Sequence, residues 1–176
     1  MRRYVVIASV ALAVLTAAAS AASRHHSGRT PADPDFTFIR QAYAYMADAV
    51  RQKDVNKEYA YISDDYVRVS SSGRQESKSE AVAADYDIYR DFSANAVSMR
   101  ETIQVLSLRH SGNNILAKVR IRLYAGKAVD DLLNGTGTMS GKIDLTRDDT
   151  WVPTADGWAC NRSVDHAFHI QIHQPN

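Results

Sequence analysis

Residues 148–170 read DDTWVPTADGWACNRSVDHAFHI and hold both tryptophans, Trp151 and Trp158, and the single cysteine, Cys160. Two strand-like runs flank Asp156-Gly157, a pair suited to a tight turn that needs positive φ. The stretch therefore predicts a closing hairpin, with its tryptophans and cysteine feeding a core. A lone cysteine excludes an internal disulfide, and a buried free thiol behaves as a small hydrophobe.

Moving outward, the same pattern continues. ILAKVRIRLY, residues 115–124, alternates Ile115, Ala117, Val119, Ile121 and Leu123 against Lys118, Arg120 and Arg122, the period of a half-buried strand. SMRETIQVLSLRH before it and KIDLTRDDTWV after it read as further strands. Between them Ala125–Gly141, with four glycines, reads as a long connection. The first half is helical. Phe36, Ile39, Tyr43, Met46 and Val50 fall at steps of three and four. Asp54 can cap a short second helix with Val55, Tyr59 and Ile62 on its apolar side. Ser77 and Glu80 have capping-box spacing for a third, with Val82, Tyr86 and Tyr89 on one side. Tyr66–Val69 is a short strand before a turn at Ser70–Gly73. The expected class is α+β: three N-terminal helices packed on a curved antiparallel sheet.

The chain has 176 residues, ordinary composition and a net charge of +1. This suggests one domain and no general attraction to nucleic acid. MRRYVVIASVALAVLTAAASAASR has a positive start, a short apolar run and a small-residue exit, which is the pattern of a secretory signal peptide. We expect a signal peptide over 1–22, a flexible leader over 23–35 and a domain over 36–173. The mature protein is then exported, periplasmic or secreted, with no membrane attachment after cleavage. Losing Arg2 and Arg3 and no acid turns the net charge to −1. No Cys/His cluster has zinc spacing, no glycine loop cradles a phosphate, and neither a metal nor a cofactor is expected.

The segments YAYISDDYVRVSSSGRQESKSEAV (59–82) and DDTWVPTADGWACNRSVDH (148–166) resemble the SnoaL-like branch of the nuclear transport factor 2-like (NTF2-like) superfamily. The resemblance spans roughly residues 36–168. It implies a cone of curved sheet and three helices enclosing a pocket, and frequent homodimers. It does not imply one activity, because members include isomerases, cyclases, dehydratases and ligand binders. The ketosteroid isomerases of that superfamily use an Asp base, which would fall here at about Ser70. Their oxyanion tyrosine would fall near Tyr45 or Met46, and their protonated acid near Arg147. Those departures argue against isomerase chemistry of that kind.

Strand parity selects the candidate site. Ile143, Leu145 and Trp151 share a face with Arg147 and Asp149, and Trp158, Cys160, Val164 and Phe168 share one with Arg162 and His166. Charges on apolar faces must be paired or wet, and a bulge would reverse the assignment. His166 is the candidate acid or base, because its ordinary pKa is near neutral, with Asp149 to orient it. Arg147 and Arg162 are candidates for a ligand carboxylate, and Tyr43, Tyr59, Tyr86 and Trp151 for the remaining walls. Three functions fit: a binding or accessory protein for a small hydrophobic or carboxylate-bearing ligand, a lyase or isomerase using His166, and a dimeric interaction module.

Overall fold

The computed structural model describes residues 33–131 and 135–173. The expected signal segment and most of the expected leader lie outside them. Helix α1 (Pro34–Gln52) takes in the last two residues of the expected leader, because Asp33 and Pro34 form its cap and first turn. The Asp33 carboxylate accepts from the Asp35 and Phe36 amides at 2.9 and 3.4 Å, and proline at the first helical position lacks only an N–H that would be orphaned anyway. Lys53 ends the helix in the left-handed region at φ 56°. Helix α2 (Val55–Glu58) is capped by Asp54 as its spacing predicts.

Strands β1 (Ile62–Val69) and β2 (Gln75–Ser77) come next, then α3 (Lys78–Ala94), whose start carries the reciprocal Ser77–Glu80 capping box. The long strands β3 (Ser98–Ser111), β4 (Asn114–Asp131), β5 (Gly135–Thr154) and β6 (Gly157–His173) complete the chain. The sheet order is β2-β1-β6-β5-β4-β3.

Two expectations about the sheet are corrected. It is mixed rather than wholly antiparallel: β1 runs parallel to β6, pairing Val67 with Arg162 and Val69 with Val164. The strand expected at Tyr66–Val69 is present as part of β1, which with β2 stands between α2 and α3. A parallel partner far along the chain leaves no local turn signal, so periodicity cannot find it. The region 125–141 is no long connection either. Pairing continues from Ala125↔Gly141 out to Asp131↔Gly135, which extends the β4–β5 ladder.

One core lies between α1 and the sheet. Ile39, Ala42 and Tyr43 of α1 meet Ile115, Ala117, Val119, Trp151 and Cys160. A second cluster joins Val50, Val55, Tyr89 and Met99. On α3 the buried residues are Ala81 and Tyr89, while Tyr86 is 47% exposed. The hairpin turn is tied to α1 as well. Gly157 has φ 130°, and a Cβ there would stand 2.9 Å from the Phe38 ring.

Candidate functional site

The inner sheet face and the helices enclose a cavity of about 520 Å³. This volume suits a small organic molecule, since such pockets run to roughly 300–1,000 Å³. The walls are apolar at Met46, Ile88, Phe92, Ile103, Leu123 and Leu145. Two sets of polar groups interrupt them.

The first set stands on β5 and β6. The β5 parity is as read from sequence: Ile143, Leu145, Arg147, Asp149 and Trp151 all face the cavity. Asp149 is 4% exposed. Its carboxylate accepts from the Tyr43 hydroxyl at 2.6 Å and the Ser163 hydroxyl at 2.5 Å, and Trp151 Nε1 donates to the Tyr43 oxygen at 3.0 Å. Burial raises the Asp149 carboxyl, against the pull of Arg147. Arg147 Nε donates to Asp165 at 2.6 Å, and Arg68 Nε donates to the other Asp165 oxygen at 3.1 Å. Burial alone would raise Asp165, but Arg147 and Arg68 hold it below the usual carboxylate range. Burial opposes the Arg147 charge, while Tyr66, Asp149 and Asp165 keep it firmly protonated.

The β6 parity is corrected. Two bulges interrupt its pairing with β5. Trp151 pairs with Cys160 but Thr150 with Arg162, and Leu145 pairs with Phe168 but Arg147 with Asp165. Each bulge adds a residue to β6 and reverses which side chains face inward. Ser163 and Asp165 therefore turn in, at 2% and 6% exposure. Arg162 and His166 turn out and are exposed. His166 Nε2 lies 2.8 Å from Asp148 Oδ2, not from Asp149. Neither residue can reach a molecule in the cavity, so neither serves as its base or its carboxylate clamp. Arg147 does reach the cavity, but Asp165 already engages it.

The second set comes from α2, α3 and β3. Glu58 accepts from the Tyr89 hydroxyl at 2.5 Å, and Asp85 accepts from the Tyr59 hydroxyl at 2.7 Å. Burial pushes Glu58 up to about 8 and raises Asp85. Glu101 faces the same space, and burial pushes it up to about 7. Tyr59 thus sits in the cavity wall, whereas Tyr86 reaches outward to Asn56 Oδ1 at 2.8 Å. Sequence reasoning named Tyr59 of this set and missed its carboxylates, Glu58, Asp85 and Glu101. Glu101 was legible, since it alternates with Met99 and Ile103, which also line the cavity. Asp85 sits one turn after Ala81 and one before Tyr89, on the buried side of α3.

Elsewhere among the described residues, Asp33, Asp35 and His110 form the one group whose side chains could meet on a metal ion. Asp33 is already the α1 cap.

The chain matches no protein-family model, and no curated protein matches it in sequence. Solved structures do match its fold. An NTF2-like protein with a cystatin-like fold from Novosphingobium aromaticivorans superposes with a TM-score of 0.54 at 15% identity, over 76% of this chain and 81% of that one. Kfla4162 from Kribbella flavida gives 0.61 at 17% identity, over 78% and 93%. A Catenulispora acidiphila protein in complex with S-DNPA gives 0.55 at 13% identity, over 74% and 91%. At these identities the likeness establishes the fold, which is NTF2-like, and nothing finer.

Proposed function

We propose that this NTF2-like chain is an exported binding protein for a small, largely apolar molecule. The carrying observation is the cavity of about 520 Å³, apolar over most of its wall, with polar side chains turned into it. The fold is compatible with this use, since the Catenulispora acidiphila relative holds S-DNPA. A direct test is native mass spectrometry of gently purified mature protein. The expected result is a co-purified small molecule, or uptake of the neutral apolar dye N-phenylnaphthylamine with quenching of Trp151. A Leu145→Trp variant that fills the cavity should abolish both. Dye binding that persists in that variant would place the apolar site elsewhere and refute the reading.

A second reading has its own observation. Arg147 stands between two carboxylates whose environments push them apart, Asp149 upward and Asp165 downward. Paired groups separated in this way are how one site supplies both an acid and a base. Under this reading Asp149 donates a proton and Asp165 supports the charge of Arg147. Turnover lost in Asp149→Asn, with apolar binding retained, would favour it over pure binding. Turnover unchanged in that variant would remove it.

We also propose a second copy of the chain as partner. From the cavity edge at Phe168 the apolar side of β6 continues through Ile170 and Ile172, the three being 46, 56 and 69% exposed. A contiguous apolar strip of this kind is usually covered.

A further inference from the structure

The charge lining the cavity does not balance. Five carboxylates, from Glu58, Glu76, Asp85, Glu101 and Asp149, face two guanidiniums, Arg68 and Arg147. Both guanidiniums are already engaged, with Asp165 and, for Arg68, also with Glu76 at 3.9 Å. Among the described residues Glu58, Asp85, Glu101 and Asp149 form no ion pair. Asp149 is served by two hydroxyls, Asp85 and Glu58 by one each, and Glu101 by no hydrogen bond among the described residues. Tyrosine and serine donors stabilise an anion but leave its charge in place, and charge held away from water demands a counter-charge or a proton.

The counter-charge is not a single metal ion held by the wall. No three of these carboxylates converge closely enough, for the one such group among the described residues is Asp33, Asp35 and His110. What the cavity offers instead is an apolar volume with separated acceptors on one side, beside the aromatic rings of Tyr59, Tyr89 and Phe92. An organic ammonium suits that surface. Its hydrocarbon part replaces water against the apolar wall, its N–H groups reach acceptors spaced too widely for an ion, and aromatic faces attract its charge.

We propose that the occupant is an apolar molecule carrying a protonated amine, with the ammonium seated between Glu58 and Glu101. This rests on the binding reading above and adds the class of ligand. It replaces the carboxylate-bearing ligand expected from Arg147 and Arg162. Every element around the cavity bears on the pH dependence of binding: Glu58 and Tyr59 from the α2 end, Tyr66 and Arg68 from β1, Glu76 from β2, Asp85 and Tyr89 from α3, Glu101 from β3, and Arg147 and Asp149 from β5. Arg68 and Arg147 oppose the ligand charge, and the five carboxylates favour it. As pH rises through about 7 and then about 8, Glu101 and Glu58 lose their protons. Amine affinity therefore increases over that range while the amine itself stays charged.

The test uses three probes that share one ring system: naphthylmethylamine, naphthalenemethanol and naphthoate. Each is titrated calorimetrically into the mature protein, with N-phenylnaphthylamine as an independent reporter of the cavity. At about pH 8.5 the amine should bind about tenfold tighter than the alcohol, and naphthoate weakest, with the preference shrinking at about pH 5.5. Glu101→Gln, and separately Glu58→Gln, should each weaken amine binding about tenfold and leave alcohol binding unchanged. If the reporter binds but the alcohol or naphthoate matches the amine, the inference fails and the binding reading stands. If neither the reporter nor any probe binds to folded protein, the binding reading itself fails. Equal loss of amine and alcohol in both variants would mean the glutamates only support the fold, and would also overturn the inference.

Discussion

Asp149 shows how one side chain ties stability to the site. It is buried, and its oxygens are held by Tyr43 and Ser163. Tyr43→Phe removes a donor to that carboxylate and the acceptor for Trp151 Nε1. We expect a loss of about 1–3 kcal/mol, measured by urea unfolding, because a buried polar group is left unsatisfied. Glu101 should act in the opposite sense. Its folded pKa, about 7, lies above the ordinary 4.5 of the unfolded chain. The folded state then binds the proton more tightly, so stability is full below about pH 4.5 and falls as pH rises towards 7. Glu101→Gln should stabilise the fold at about pH 8 by on the order of 1–2 kcal/mol, read as a higher melting temperature, and change little at about pH 4.5. An equal effect at both pH values would show that the ionised carboxylate is not what costs stability. At this scale the sequence was partly legible. The β5 parity places Arg147, Asp149 and Trp151 on one face with no further information. Glu58 escaped because a four-residue helix has too few turns to show a face.

At the scale of elements, local chemistry was read more reliably than pairing. The α3 capping box and the Asp156-Gly157 turn depend on residues within a few positions of one another, so their spacing is enough. Ser77→Ala should cost about 1 kcal/mol by removing the acceptor for the Glu80 amide. Gly157→Ala should cost about 1–3 kcal/mol, since it combines an unfavourable φ with a collision against Phe38. Thermal unfolding of each variant checks both. The parallel β1–β6 pairing and the two β6 bulges left no comparable trace. A bulge is an agreement between two strands about register, and one strand's periodicity does not record it. That is why Arg162 and His166 were placed inward and Ser163 and Asp165 were not.

At the scale of the whole molecule, the order of helices and strands was enough to reach the α+β class and to put a strand before the third helix, while β2 and the parallel seat of β1 beside β6 were the parts it hid. Two predictions belong here. The expected signal cleavage predicts a mature chain that begins near residue 22 or 23, checked by N-terminal sequencing of exported material. Light scattering should give a dimer, and Ile172→Lys should shift it towards monomer without lowering the melting temperature of the monomer, because Ile172 is 69% exposed. The β6 bulges carry a wider consequence. Between them, residues 162–165 are read one step out of phase with both flanks, as a phrase is read in a shifted frame. Strand β6 thus encodes two cavity walls in the same few residues. The one in use offers a serine and an aspartate. The one out of frame offers Val164 with either Arg162 or His166, and a slide of that segment by one residue, in one direction or the other, would bring that pair in. The sign of charge on this wall is set by residue count as much as by residue identity.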